Sequence, residues 1–105
     1  MTGFLVQLIL PVYDNDGVPL ARELFAQVRR ELTDRFGGVT AYTRAPAEGS
    51  WESPEGTVRR DDVVVVETMT DSLDRKWWAD YSRELAARFR QQTVIVRALT
   101  YESIP

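Results

Sequence analysis

The sequence contains neither cysteine nor histidine among its 105 residues. Without cysteine the chain has no disulfide, no thiolate nucleophile, and no zinc or iron–sulfur site held by thiolates. Without histidine it lacks the commonest general base and the commonest metal ligand, which excludes a Ser–His or Cys–His nucleophile. We therefore expect no metal site and no cofactor.

The chain also lacks a positive charge balance and any long apolar run. Its formal net charge is -3 at pH 7, and its basic residues are spread among acidic ones, so nucleic acid is not an expected partner. No apolar stretch approaches the ~20 residues of a membrane span, and the first residues do not resemble a signal peptide. The sequence predicts a cytoplasmic protein without a membrane partner.

The length predicts a single domain over residues 1–105, and the hydrophobic pattern predicts four strands and two helices. The predicted strands cover residues 4–12, 38–44, 63–70 and 94–100, and the predicted helices cover 18–36 and 73–90. Pro19 is expected in the first turn of the first helix, and Asp71 and Ser72 are candidates to cap the second. The Pro/Gly/Ser-rich stretch at 45–56 is typical of a long loop.

The order of these elements, β-α-β-β-α-β, predicts an α+β fold of the ferredoxin-like type. Right-handed crossovers place the first and third strands in the centre of a four-stranded antiparallel sheet, with strand order 4-1-3-2. Both helices are then on one face. A repeated motif, Arg-Glu-Leu-x-x-Arg-Phe, at residues 30–36 and 83–89 agrees with two similar halves.

The face of this sheet that no helix covers is predicted to be largely apolar. Counting alternate residues along the strands assigns to it Leu5, Gln7, Ile9, Val63, Val65, Glu67, Met69, Ile95, Arg97 and Leu99. An apolar face of this size is not expected to remain in water. The simplest cover is a second copy of the chain, so we expect a homodimer packed sheet to sheet.

Three polar residues interrupt that face on neighbouring strands: Gln7, Glu67 and Arg97. Tyr42 or Arg44 on the edge strand is expected to join them. In one interpretation they line a pocket in which Arg97 binds a small anionic ligand and Glu67 acts as a base or an acceptor. In the other they form an interface ion pair that fixes the register of the dimer.

The tryptophans divide between the predicted loop and the second helix. Trp51 lies in the loop, where an aromatic side chain either anchors the loop or caps a pocket, and it is the fifth candidate ligand residue. Trp77, Trp78 and Tyr81 are expected to pack in the core or in a dimer interface rather than to form a ligand platform. No residue can be assigned a catalytic role.

Short motifs resemble a family of small bacterial proteins of unknown function. They are a Gly-x-Thr turn at 38–40, a Gly-x-Trp loop at 49–51 and a Phe-x-Gln end of the last helix at 89–91. The resemblance spans roughly residues 13–97 and implies no activity. More loosely, the two-chain barrel is similar to the dimeric α+β barrel superfamily, some of whose members are cofactor-free monooxygenases or heme-handling enzymes. Heme ligation through histidine is excluded here.

Two functional hypotheses follow. The favoured one is a small homodimeric binding or interaction module without catalysis of its own. The alternative is a cofactor-independent enzyme of the dimeric α+β barrel type, monooxygenase- or isomerase-like. Its pocket on the open sheet face would be lined by Gln7, Tyr42, Trp51, Glu67 and Arg97. A cavity beside Glu67 and Arg97 is expected for the enzyme and not for a structural ion pair.

Overall fold

The structure, a computed structural model, describes residues 2–44 and 63–105, and the side chains of all of these except 43 and 44. Its elements are β1 (Thr2–Pro11), α1 (Arg22–Phe36), β2 (Thr40–Arg44), β3 (Val63–Thr70), α2 (Arg75–Arg88) and β4 (Ile95–Glu102). The predicted order β-α-β-β-α-β is therefore confirmed. Neither helix of the described chain is long and apolar enough to cross a membrane.

The four strands form one antiparallel sheet in the order β2-β3-β1-β4. This is the predicted order 4-1-3-2 counted from the opposite edge, and the α+β, ferredoxin-like prediction holds. β1 lies between β3 and β4, and its residue Gln7 is paired with Glu67 on one side and Arg97 on the other. The register thus brings residues that are distant in sequence to one line across the sheet.

The core lies between the sheet and the two helices. The even-numbered residues Val6, Leu8 and Leu10 of β1 are buried there, since side chains alternate between the two faces of a strand. Leu32 of α1 and Leu85 of α2 pack into the same cluster. Both helices therefore cover one face of the sheet, as the sequence predicted.

Aromatic contacts join the two helices at both ends. Phe36, at the end of α1, stacks on Trp78 near the start of α2, with ring centroids 5.2 Å apart. Phe25, near the start of α1, meets Phe89 edge to face at 5.2 Å, just after α2. The helices therefore run antiparallel. The assignment of Trp78 and its neighbour Tyr81 to the core is confirmed, because both side chains are buried.

The predicted start of α1 is wrong by one turn. Pro19 lies outside the helix and pairs with Tyr13 across an isolated β-bridge. The carboxylate of Asp14 accepts hydrogen bonds from the backbone N–H groups of Asp16 and Val18, both at 2.9 Å, and holds this turn. The Leu20 N–H also donates to the Val12 carbonyl at 2.9 Å, which keeps the chain out of the helix past Pro19, and α1 begins at Arg22.

The second helix is also shorter than predicted. Its cap is Asp74, whose side chain accepts from the Trp77 N–H, rather than Asp71 or Ser72. It ends at Arg88 because Arg90 adopts a left-handed conformation, with φ of 54°, which stops a helix. Among the strands, β3 has the predicted bounds, whereas β4 extends to Glu102 through its pairing with Thr2 of β1.

A polar cluster links the outer sides of the two helices. Glu31 of α1 accepts two hydrogen bonds from the guanidinium of Arg88, at 2.7 and 2.8 Å, and one from the Tyr81 hydroxyl at 2.8 Å. The hydrogen bonds from Arg88 hold the pKa of the Glu31 carboxyl below its ordinary value, although burial opposes this shift. Burial and the bond to Glu31 raise the pKa of the Tyr81 hydroxyl. The cluster therefore favours a charged Glu31.

We predict that Glu31→Gln lowers the free energy of unfolding by about 1 kcal/mol at neutral pH, because one carboxylate accepts from two residues of the other helix. The pKa of Glu31 is lower in the folded than in the unfolded chain, so its contribution is present above pH 4.5. It is lost as the pH falls through the lowered pKa of the folded state. Denaturant unfolding at several pH values measures both effects.

The matched control is Glu23→Gln, which breaks an ion pair with Arg30 on the exposed surface of α1. Exposed pairs contribute little, so this variant should unfold almost as the parent does. Equal losses in the two variants, or a loss at Glu31 that persists at low pH, would contradict the role given to this cluster.

Candidate functional site

The face of the sheet that neither helix covers is here called the open sheet face. It carries the odd-numbered side chains of β1 and their partners on β3 and β4. Met69 is 60% exposed on it, Ile95 56% and Leu99 46%. Val65 is the exception to the predicted exposure, because its side chain is buried. The described surface therefore presents large apolar side chains to water.

The strand register arranges this face in three rows that run across the strands. They are Leu99, Leu5 and Met69 in the first, Arg97, Gln7 and Glu67 in the second, and Ile95, Ile9, Val65 and Tyr42 in the third. A polar row thus lies between two apolar rows. The apolar rows border the polar groups on both sides.

Hydrogen bonds connect the polar row from one edge strand to the other. The Nε of Arg97 donates to Oε1 of Gln7 at 2.7 Å, and Nε2 of Gln7 donates to Oε1 of Glu67 at 2.8 Å. The hydroxyl of Tyr42, reaching diagonally from β2, donates to the same Oε1 of Glu67 at 2.6 Å. The structure therefore brings together four of the five residues predicted to bind a ligand.

This arrangement leaves hydrogen-bonding groups available at both ends of the row. Within residues 2–44 and 63–105, Glu67 accepts both of its hydrogen bonds on Oε1, so Oε2 has no partner there. Over the same residues Arg97 donates only from Nε, and its two terminal nitrogens make no hydrogen bond. The row can therefore accept a hydrogen bond at Glu67 and donate several at Arg97.

A hollow of about 510 Å³ adjoins Glu67 at the place where β2 joins the sheet. Gly37 ends α1 in the left-handed conformation, with φ of 86°, which residues other than glycine rarely adopt. The Thr68 hydroxyl then donates to the carbonyl of Gly38 at 2.7 Å and ties this turn to β3. The hollow is lined by Leu5, Phe36, Gly37, Gly38, Val39, Thr40, Glu67, Thr68 and Met69.

A second hollow, of about 430 Å³, lies between α2 and the free edge of β4. Arg97 is on its rim, while Trp78 and Ser82 are on its helix side. Each end of the polar row thus borders a hollow. Over the ranges 2–44 and 63–105, the hollow beside Glu67 does not reach Arg97, and the hollow beside Arg97 does not reach Glu67.

The remaining predicted residues and some missed ones complete the site. Trp51 lies outside the described residues, as does the side chain of Arg44. Two residues that line the hollow beside Glu67 were not predicted as site residues: Thr40, and Met69, which the sequence placed only on the uncovered sheet face. The pairing of Thr40 with Glu67 follows from a register that the sequence pattern did not fix. Among the residues described, no three acidic side chains are grouped as a metal site would need.

Comparison with known proteins gives no family model that matches the chain, and no curated protein matches it in sequence. Among solved structures, the chain is similar to a phage SAM lyase in complex with S-methyl-5'-thioadenosine, with a TM-score of 0.61. The match has 16% identity and covers 92% of this chain and 80% of that one. At this identity the likeness concerns the fold, and it agrees with the ferredoxin-like arrangement.

We predict that Thr68→Val loosens the wall of the hollow beside Glu67. The substitution keeps the shape of a buried side chain but removes its hydrogen bond to Gly38, which should cost about 1 kcal/mol of unfolding free energy. Amide hydrogen exchange should accelerate at Thr40 and Ala41, where β2 joins the sheet. Thr70→Val is the control, because the hydroxyl of Thr70 makes an exposed, local bond. Unchanged exchange in β2 would contradict this role.

Proposed function

We propose that this protein binds a small polar molecule on the open sheet face, in the hollow beside Glu67. The observation that carries the proposal is the hydrogen-bonded row that ends in Glu67, next to a hollow of about 510 Å³. Ligand sites commonly combine apolar walls with a few polar groups of fixed orientation. Leu5, Phe36 and Met69 supply such walls here.

The chemistry of Glu67 favours a ligand with a donor or a positive charge. Gln7 and Tyr42 both donate to Oε1, and this orients the carboxylate before any ligand arrives. Its second oxygen is then the acceptor for the ligand. A carboxylate held in this way among apolar side chains attracts an ammonium or sulfonium group, because partial exclusion of water strengthens the electrostatic attraction.

Arg97 supports a second feature of the ligand, an anionic group. Its terminal nitrogens have the fork geometry that binds a carboxylate or phosphate through two hydrogen bonds. Arg97 and Glu67 are two strands apart, which corresponds to about 10 Å between their backbones. A zwitterionic molecule with separated charges would match the row better than a simple anion.

Binding without turnover is the first candidate function, in line with the binding module that the sequence favoured. Catalysis without a cofactor is the second. It is favoured by the hollow beside Glu67 and by the similarity of fold to an enzyme, the phage SAM lyase. In that case Glu67 is the candidate base, since Oε2 can accept a proton from a bound substrate. A cytoplasmic location remains a prediction from the sequence.

The structural neighbour supplies probes that fit this chemistry. S-methyl-5'-thioadenosine is the molecule bound to that protein. The enzyme is named for S-adenosylmethionine (SAM), which carries a sulfonium group and a zwitterionic amino acid. We expect S-adenosylmethionine to bind this chain more tightly than the neutral thioether, because only the former presents a positive charge to Glu67. Isothermal titration calorimetry with each compound measures the difference.

We predict that Glu67→Gln weakens binding of S-adenosylmethionine at least about tenfold, a loss of ~1.4 kcal/mol, while the chain stays folded. The fold should survive because the amide oxygen still accepts from Gln7 and Tyr42. Glu102→Gln, an exposed change at the end of β4, is the matched control and should leave binding unchanged. Equal affinity of all three proteins, or no binding of either compound, would contradict the proposal.

Product analysis of the same mixtures separates the two candidates. Release of a product from S-adenosylmethionine by the parent and not by Glu67→Gln would assign catalysis to this site. Binding without any product would favour the binding module. Circular dichroism of each variant establishes that lost binding reflects the site and not the fold.

A further inference from the structure

We infer that a second copy of this chain covers the open sheet face, with Arg97 of each copy facing Glu67 of the other. The inference concerns assembly of the protein without a ligand, so it stands or falls independently of the proposed binding function. It is based on the order of charges and apolar side chains within the three rows of the face.

The apolar rows are the first reason for a cover. Met69, Ile95 and Leu99 are each about half exposed or more, and they lie on both sides of the polar row. Exposed apolar surface of this kind marks interaction sites in soluble proteins. The polar row between them requires a partner that offers charges as well as apolar groups at matching positions.

The chain itself offers that pattern. Along the polar row, Arg97 is on one side of Gln7 and Glu67 is on the other. A twofold axis that lies between two facing sheets, above Gln7 and parallel to β1, exchanges the two sides. It places Arg97 of one copy opposite the partner's Glu67, and the symmetry creates the same contact a second time.

The apolar rows fit the same axis. It sets Leu99 opposite the partner's Met69, so that exposed apolar side chains meet, and it sets Ile95 opposite the position of Val65, whose own side chain is buried. A twofold axis running across the strands would instead set Arg97 opposite the partner's Arg97 and Glu67 opposite the partner's Glu67. Like charges held face to face disfavour association, so the charge pattern selects the axis parallel to β1.

This arrangement completes the site beside Glu67. In a single copy, Arg97 is separated from Glu67 by the whole of β1. In the pair without a ligand, the partner's Arg97 lies opposite Glu67 at the mouth of the hollow, and a cationic group of a ligand would take its place at Oε2. The anion-binding and cation-binding groups are then neighbours, and each of the two equivalent sites contains residues of both copies.

Charge-reversed variants test the pairing. Glu67→Arg alone and Arg97→Glu alone each place like charges opposite each other in both contacts, so each should weaken self-association at least about tenfold. An equimolar mixture of the two variants restores opposite charges in both contacts of a mixed pair. Sedimentation velocity should therefore find dimers in the parent and in the mixture, and monomers in each variant alone.

Three results would overturn the inference: a monomeric parent at tens of micromolar, variants that associate as well as the parent, or a mixture that stays monomeric. Asp34→Arg on the exposed surface of α1 is the matched control for reversal of a charge and should leave the dimer intact. Because assembly is measured without ligand, a failed titration with S-adenosylmethionine does not affect this outcome.

Site-directed cross-linking tests the axis even if the charge variants fold poorly. The natural chain has no cysteine, so introduced thiols are the sole targets of a short bis-maleimide. Chains with Leu99→Cys mixed with chains with Met69→Cys should give a covalent dimer, since facing sheets pack about 10 Å apart. Leu99→Cys mixed with Ile95→Cys is the matched pair for the other axis. A stronger dimer band from that mixture would overturn the proposed arrangement.

Discussion

Alternation of side chains along β1 is the constraint on which the rest of the structure depends. Because β1 lies inside the sheet and both helices pack on one face, each of its residues must face either the core or the open sheet face. Val6, Leu8 and Leu10 hold the helices, while Leu5, Gln7 and Ile9 form the centre of the opposite surface. A shift of one residue would exchange these roles, so the hydrophobic core itself fixes the position of Gln7.

The position of Gln7 in turn determines the chemistry of the open sheet face. As an amide, Gln7 can accept and donate at once, so it accepts from Arg97 and donates to Glu67 without carrying charge. The row therefore has a fixed direction of charge, with the cation of Arg97 on β4 and the carboxylate of Glu67 on β3. Both proposals depend on this separation of charges. In the ligand site, Glu67 and Arg97 bind groups of opposite charge, and in the pair of copies, each Arg97 faces the partner's Glu67.

The fold was predictable because strong local patterns agreed with each other. The four valines from Val63 and the apolar residues of β1 marked these two strands, right-handed crossovers placed them in the centre, and parity placed Glu67 and Arg97 on the same face as Gln7. Element ends were less predictable, since they depend on side-chain bonds to the backbone. Asp14 holds the turn that delays α1, and Asp74 was not recognised as the cap of α2. Such competition between nearby capping residues is not resolved by sequence pattern.

The hollows were beyond prediction for a related reason. Their walls depend on where β2 leaves β3, which is set by the bond from Thr68 to Gly38 and by the pairing of Thr40 with Glu67. The sequence marked Gly37 and Gly38 as the end of a helix but not as the wall of a site. Likewise, the three polar residues that interrupt an apolar face identified the polar row. Their pattern did not distinguish a site for a ligand from an interface with a second chain.

Native mass spectrometry of the purified protein, compared with the same sample after denaturation, tests most directly whether the open sheet face is a functional surface. The account predicts an assembly of at least two chains under native conditions. Extra mass that disappears on denaturation would identify a small molecule held in that assembly and supply its mass. A monomer without added mass, at concentrations where the fold is intact, would contradict the account.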